Sequence, residues 1–215
     1  MKKILNNILK IFEKKSNLYE CYYSDLRNIF SIEKFKYYKG NSFPIKYDLI
    51  HREIYAYKFD LMITENDFLK LKEIILNHFK LDFAHPNRIS NIEGINKKII
   101  VNEGIAIAIT NEFDGIVAYL MTNNVDLLTD IDLAEFTPPP PWVVFPDEDP
   151  RGLGSMQGSM DFWFLSYWDP FWNNLTFAKK RQYLKKSKPN KYWNYYLMVN
   201  PYYTRNSIEN KQNMI

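Results

Sequence analysis

The sequence predicts an α+β fold in a single domain, with N-terminal helices, a small antiparallel sheet and a C-terminal helical layer rich in aromatic residues. Apolar residues recur at helical spacing near the N-terminus, alternate with other residues over 45–61 and 98–121, and return to helical spacing in the last third. The chain has 215 residues, 46% hydrophobic and 17% aromatic, which is enough to bury a core and excludes general disorder. We expect the domain to cover 1–200 and a polar, frayed tail to cover 201–215.

Two helices are predicted in the first forty residues, one over about 2–15 and one from Asn17 to Lys39. The second ends near Gly40, which suits a helix C-cap. The first carries isoleucine and leucine at helical spacing with lysines between them, which indicates a packed amphipathic helix or, alternatively, a helix on a membrane surface. It lacks the apolar run and cleavage site of a signal peptide, and no run of the chain is long enough to span a membrane. We therefore expect a cytoplasmic protein.

The middle of the chain alternates between strand and helix patterns. Residues 45–61 predict a half-buried strand, because every second side chain from Tyr55 onward is large and apolar. The segment from Thr64 to Asp67 resembles a capping box and begins a helix over about 65–80.

A β-meander is predicted over 98–121, with its turn between Asn111 and Gly115. A short helix over 124–135 and an extended polyproline stretch at Pro138–Pro141 follow it.

The C-terminal third predicts three helices. Asp169 reads as an N-cap and Pro170 as the first helical residue, and Thr176 caps a further helix that ends before Lys188. A last helix continues from Tyr192, where tyrosines recur at helical spacing.

Charge is distributed very unevenly along the chain. Twelve acidic residues and one basic residue, Arg151, lie between Glu103 and Asp169, although the whole chain has a formal net charge of +3. Such asymmetry bears on the partners of a protein more than on its fold. We expect the acidic segment to face a basic partner.

An acidic loop, Asp147-Glu148-Asp149, is the first candidate site within that segment. Its carboxylates could steer a basic protein partner, with Trp142 as a nearby aromatic anchor. The alternatives are a solvated loop between two prolines and a site for a hard cation.

A second candidate site is the pair Asp130 and Asp132, followed by Glu135. We include both aspartates among the partner-binding residues. A D-x-D pair also occurs in metal-dependent transferases, and an ordinary helix N-terminus capped by Thr129 or Asp130 is the third explanation.

Several kinds of active site lack the residues they need. One cysteine, Cys21, excludes a disulfide within the chain and argues against a zinc site built on cysteine. The three histidines form no metal-binding motif, and the glycine-rich loop 152–159 lacks the lysine of a P-loop. We therefore assign no catalytic, metal-binding or cofactor-binding residue and expect a protein that is not an enzyme.

A basic run between Lys179 and Lys191 supports a different function. Lysines and one arginine alternate there with Tyr183, Tyr192 and Trp193, and such a mixture can bind single-stranded nucleic acid. The alternative is a solvated helical face over an aromatic core. A nucleic-acid-binding accessory protein, or a metal-dependent enzyme using the clustered carboxylates, therefore stays open beside the binding function.

The segment 138–197 resembles bacterial immunity proteins, which are encoded beside polymorphic or contact-dependent growth-inhibition toxins. The features that carry the resemblance are its layout of PPPPWVVFP, then GSMQGS, then aromatic helices containing WDPFW and WNYYL. The resemblance implies a non-catalytic protein that neutralises a cognate toxin domain by tight, direct binding, and it transfers no individual residue. A nuclease toxin with a basic cleft would suit the acidic segment.

Overall fold

The structure of the protein is a computed structural model in which part of the N-terminal region, five internal stretches and the C-terminal end are not described. The predicted helix over 2–15, the start of the second predicted helix and the tail 201–215 lie outside the described residues. The described residues are 23–40, 43–83, 99–102, 104–113, 115–153 and 156–199.

Within the described ranges, a five-stranded antiparallel sheet, ordered β1-β2-β5-β4-β3, forms the centre of the fold. The predicted meander is confirmed, because β3, β4 and β5 pair in succession as hairpins. Strand β2 pairs with β5, which places it beside the meander, and Phe59 lies opposite Leu120. The strands are β1 (Tyr47–Leu49), β2 (Ile54–Ile63), β3 (Ile99–Asn102), β4 (Ile105–Glu112) and β5 (Gly115–Thr122).

Helices precede the sheet, connect its strands and follow it, so the predicted α+β class with an aromatic-rich C-terminal helical layer is confirmed. Short 3-10 turns also cover Ile32–Lys34, Ile50–Arg52 and Pro150–Gly152, and a π-helical segment covers Phe164–Trp168. The α-helices are α1 (Tyr23–Ile29), α2 (Glu65–Phe79), α3 (Val125–Leu133), α4 (Pro141–Val144), α5 (Gly158–Trp163), α6 (Asp169–Asn174), α7 (Phe177–Ser187) and α8 (Lys191–Val199).

The first described helix ends earlier than predicted. Helix α1 ends at Ile29, so the expected helix up to Lys39 with a C-cap at Gly40 is wrong. The reason is tertiary: Phe30 is fully buried, and its carbonyl accepts a hydrogen bond of 3.0 Å from the Tyr55 N–H of β2. The backbone leaves the helix there to meet the sheet.

Strand β2 is buried on both faces, so the expectation of a half-buried strand over 45–61 is also wrong. Tyr57 and Phe59 belong to the main core, while Ile54 and Ala56 form a smaller core with Phe30. The predicted strand is also divided into β1 and β2 by a 3-10 turn. A central strand covered by helices on both sides needs apolar residues on both faces, which alternation alone does not predict.

The two helices that flank the meander are confirmed, with one correction to their caps. Thr64 accepts a hydrogen bond from the Asp67 N–H at the start of α2, as predicted. Helix α3 is capped by Asn124, which accepts from the Leu127 N–H at 2.9 Å. Thr129 and Asp130 therefore do not cap the helix, and the acidic residues lie towards its C-terminal end.

Asp169 does not start a new helix as predicted. The chain continues from α5 through the π-helical segment into α6, and the Asp169 N–H donates to the carbonyl of Phe164. Pro170 has no N–H, and its ring clashes with the carbonyl four residues earlier in a regular helix. A wider π turn immediately before a proline accommodates that clash, which explains the local geometry.

The C-terminal layer packs on the sheet through stacked tryptophans. Trp163, Trp168 and Trp172 are fully buried and stack in series, with ring centroids 5.8 and 5.4 Å apart. The Trp163 indole N–H also donates to the Met62 sulfur of β2 at 3.0 Å. The aromatic residues that are dense in this part of the sequence therefore lie mainly in the core.

Candidate partner-binding surface

The acidic loop, Asp147–Asp149, lies exposed between α4 and the 3-10 turn at Pro150–Gly152. Asp147 and Glu148 form no ion pair with any other residue that the structure describes. Asp149 differs, because it accepts a hydrogen bond from the Arg151 N–H at 3.0 Å and pairs with the Arg151 guanidinium. That hydrogen-bonded guanidinium lowers the pKa of Asp149 to about 2. Two of the three carboxylates therefore remain available to a partner.

Arg151 connects the acidic loop to α8. Its guanidinium carbon lies 4.1 Å from the ring centroid of Tyr192, while its nitrogens hold Asp149. A guanidinium that stacks on a ring and pairs with a carboxylate at once restricts both partners. These contacts place the loop beside α8.

Helix α8 presents an exposed apolar stripe next to this loop. Tyr192, Tyr195 and Val199 are 37%, 68% and 48% exposed and occur at positions i, i+3 and i+7 of the helix. The opposite face carries Trp193 and Leu197, which are both buried. We call the exposed set the tyrosine stripe. A solvent-facing helix surface normally carries polar residues, so its composition favours contact with a partner.

Trp142 lies at the edge of the core and is only half-buried. Its ring centroid is 6.3 Å from that of Trp193 on the buried face of α8. The predicted anchor residue is therefore partly used in internal packing. The tyrosine stripe supplies the exposed aromatic rings. Helical spacing of the tyrosines predicts the helix but does not distinguish its exposed rings from its buried ones.

Asp130 and Asp132 both contact other side chains of this protein. Asp130 Oδ2 lies 2.8 Å from His78 Nε2 of α2. Asp132 accepts hydrogen bonds from the Tyr38 hydroxyl and the Lys46 ammonium. No hydrogen bond or ion pair among the described residues joins these two acids to the acidic loop.

The C-terminal end of α3 attracts further cations. Lys70 donates to the carbonyl of Ala134 at 2.6 Å, and Lys179 pairs with Glu135 at 2.9 Å. Negative side chains and the negative end of a helix dipole both attract cations there. Asp132 and Glu135 are thus neutralised by lysines of the same chain, and Asp130 contacts His78.

The basic run of α7 and α8 does not expose most of its aromatic residues. The ring of Tyr183 packs against Trp168, Phe171 and Trp172, and Trp193 is buried. Bases of single-stranded nucleic acid stack on exposed rings, so these two residues are not placed for that function.

Lys180 from the same run is buried. Its ammonium lies 5.3 Å from the ring centroid of Trp172, and burial lowers its pKa. The other basic residues of the run are exposed, so apart from Lys180 this part of the molecule is a solvated basic face over an aromatic core.

The described residues contain no group of three or more histidine, cysteine, aspartate or glutamate side chains that could hold a metal ion. None of the helices in the described ranges is long and apolar enough to cross a membrane. Comparisons of the chain with protein-family models, with curated proteins and with solved structures found no match. The functional argument therefore depends on the surface itself.

Proposed function

We propose that the protein is a non-catalytic binding protein that neutralises a cognate bacterial toxin by direct contact in the cytoplasm, as immunity proteins do. The observation that supports this is the juxtaposition of two exposed carboxylates, Asp147 and Glu148, with the tyrosine stripe of α8. Arg151 joins the two parts through its contacts with Asp149 and Tyr192.

The composition of this surface suits tight protein binding. Tyrosine is enriched among residues that dominate binding energy, because it buries a large, rigid ring and keeps a polar hydroxyl. Tyr195 is the most exposed residue of the stripe and is our choice as the central anchor. A loop already held in place by Arg151 loses less conformational freedom when it binds.

The charge of the acidic loop specifies the chemistry of the partner. Asp147 and Glu148 would meet lysine or arginine side chains, such as those lining the nucleic-acid cleft of a nuclease toxin. Such complementary charges accelerate association and discriminate between partners more than they raise affinity.

The first experiment is affinity capture of the tagged protein from its native cells, followed by co-expression with the captured protein. We expect one stoichiometric partner that inhibits growth when expressed alone and is harmless when this protein is present. Capture of no growth-inhibiting protein, together with no protection in co-expression, would overturn the proposed function.

Kinetics with the purified partner test the surface. The variant Asp147→Asn/Glu148→Gln should slow association and flatten its dependence on salt, because long-range attraction is lost. Tyr195→Ala should mainly speed dissociation and weaken binding by about 2 kcal/mol, as expected for a central anchor.

A matched control removes two exposed acids from other helices, Glu73→Gln on α2 and Asp126→Asn on α3. The control should bind like the wild type. If the acidic-loop variant and the Tyr195→Ala variant also bind like the wild type, the interface lies elsewhere on the molecule.

A further inference from the structure

A cluster of exposed basic side chains lies on the solvent side of α7 and at the residue that follows it. Neither α7 nor α8 contains an acidic residue. We call this surface the basic patch, and it consists of Lys179, Arg181, Lys185, Lys186 and Lys188. It is distinct from the acidic loop and the tyrosine stripe, because it shares no residue with either of them.

Most of the charge of the basic patch is not neutralised by the protein itself. Lys179 pairs with Glu135 at 2.9 Å, but the two side chains are 58% and 72% exposed, and surface pairs of this kind are weak. The other four bases form no ion pair with any residue in the described ranges. Their positive charges therefore face water and are available to an anionic partner.

The bases on α7 form two rows along the helix. Arg181 and Lys185 are four residues apart and lie in one row, whereas Lys179 and Lys186 are seven residues apart and lie in the other. The exposed surface between the rows carries the uncharged Gln182. Two rows of phosphates likewise border the major groove of DNA, which is about 12 Å wide and admits an α-helix.

We propose that the basic patch binds the phosphate backbone of double-stranded DNA, with α7 along the major groove and without reading the sequence. Contacts of lysine and arginine with phosphates supply affinity that does not depend on sequence. A single strand would also need exposed rings on which its bases stack. The neighbouring Tyr183 packs against the core and Trp193 is buried, so the patch suits a duplex better than a single strand.

An anionic membrane and an acidic protein fit the basic patch less well. A helix on a membrane surface buries its apolar face in lipid, but α7 packs that face on the core through Tyr183 and Leu184. Of the α7 residues, all of which the structure describes, only Phe177 is large, apolar and exposed. Protein interfaces are depleted in lysine and depend on aromatic anchors.

The acidic loop limits the length of this site. Arg151 places the loop beside Tyr192 at the start of α8. Asp147 and Glu148 would repel phosphates there, so we assign no phosphate contact to the adjacent Lys191. We assign one contact to each of the four bases of the patch that form no ion pair.

The test is fluorescence anisotropy of a labelled 20-base-pair DNA duplex of mixed sequence, titrated with the full chain in 50 to 200 mM salt. About four phosphate contacts predict a slope of about −3.6 for the logarithm of the affinity against that of the salt concentration. The affinity should therefore fall about 150-fold over this range, from a dissociation constant on the order of a few micromolar. A second duplex of unrelated sequence should bind equally well.

Three other probes examine the alternatives. The single strand of the same sequence should bind more weakly, and so should an RNA duplex, whose major groove is too narrow for a helix. Vesicles of phosphatidylserine and phosphatidylcholine should not sediment the protein at 100 mM salt. No binding to the DNA duplex at 50 mM salt, or equal or tighter binding to any of these three probes, would overturn the proposal.

A triple variant locates the site. Arg181→Gln/Lys185→Gln/Lys186→Gln removes three of the four contacts and should reduce the slope to about −1. The three side chains are exposed, so the urea midpoint should stay that of the wild type.

The matched control removes the same charge from exposed positions elsewhere in the chain, as Lys36→Gln/Lys39→Gln/Lys80→Gln. It should keep the slope of the wild type. An equal loss of affinity and slope in both triple variants would show that binding follows the net charge of the protein, and would refute the basic patch as the site.

Discussion

Lys46 shows how a single buried charge is accommodated in this protein. Its side chain is 2% exposed and forms an ion pair with Asp132 of α3. The ammonium also lies 5.7 Å from the ring centroid of Tyr38 and 5.9 Å from that of Phe59. Burial lowers the pKa of Lys46 to about 8. Lys46 therefore joins the segment before β1 to α3, and its ammonium loses contact with water in doing so.

This pKa predicts how stability depends on pH. Between pH 8 and about 10.5, the unfolded chain still binds the Lys46 proton and the folded chain has released it, so stability rises with pH. The shift corresponds to at most about 3 kcal/mol over that window. Urea unfolding at pH 7, 8.5 and 10 should show a smaller rise for Lys46→Met than for the wild type. Identical pH profiles would show that the ammonium is not desolvated.

At the scale of elements, caps and tertiary contacts together define where helices begin and end. Helix α8 is capped by Asn190, whose side-chain oxygen accepts from the N–H groups of Tyr192 and Trp193 at 3.0 Å. Trp193 then points into the core while Tyr192 stays on the surface. The cap therefore orients the helix that carries the tyrosine stripe.

Removal of this cap should destabilise the protein measurably. Asn190→Ala leaves two helix N–H groups without their acceptor and should lower the free energy of unfolding by about 1 kcal/mol. Asn190→Asp keeps an acceptor and adds a negative charge at the helix start, so it should unfold like the wild type. Urea denaturation of the three proteins checks this. Equal midpoints for Asn190→Ala and the wild type would contradict the assigned cap.

At the scale of the molecule, the tryptophans unite the C-terminal layer and the sheet in one core. Trp163, Trp168, Trp172 and Trp193 are buried, whereas Trp142 is half-buried beside Trp193. A change in the packing of the C-terminal helices should therefore alter most of the indole environments at once.

Fluorescence quenching tests this arrangement. Iodide should quench a small part of the tryptophan emission in the folded protein, and Trp142→Phe should abolish that part, because charged quenchers do not enter a close-packed interior. Trp172→Phe, a change at a buried position, should leave the quenchable part intact. A quenchable fraction that persists in Trp142→Phe would mean that another tryptophan is exposed.

Local sequence patterns predicted the elements whose formation depends on neighbouring residues, such as turns and helix caps. The meander follows from alternating isoleucines and a turn at Asn111–Gly115, and α2 follows from the Thr64 cap and helical spacing. The same reasoning failed where distant residues compete with local preference. Phe30 ends α1 because it meets β2, and Asp169 stays inside a helix because a π turn accommodates Pro170.

For the candidate surface, the sequence predicted the acidic loop but not which aromatic residues are exposed. The acidic loop follows from its carboxylates and flanking prolines, since a short polar segment between prolines has few ways to be buried. The exposure of Tyr195 and the burial of Trp193 did not follow, because both residues are aromatic and lie on one short helix.

Charge, aromatic density and helical or strand periodicity are properties of neighbouring residues. The amino-acid sequence therefore suffices for the α+β class and for an exposed acidic loop at 147–149. The pairing of Asp132 with Lys46, the stacking of Arg151 on Tyr192 and the pairing of Lys179 with Glu135 join residues far apart in the chain. Their existence depends on how the layers pack, because burial and proximity arise only when the whole molecule has folded.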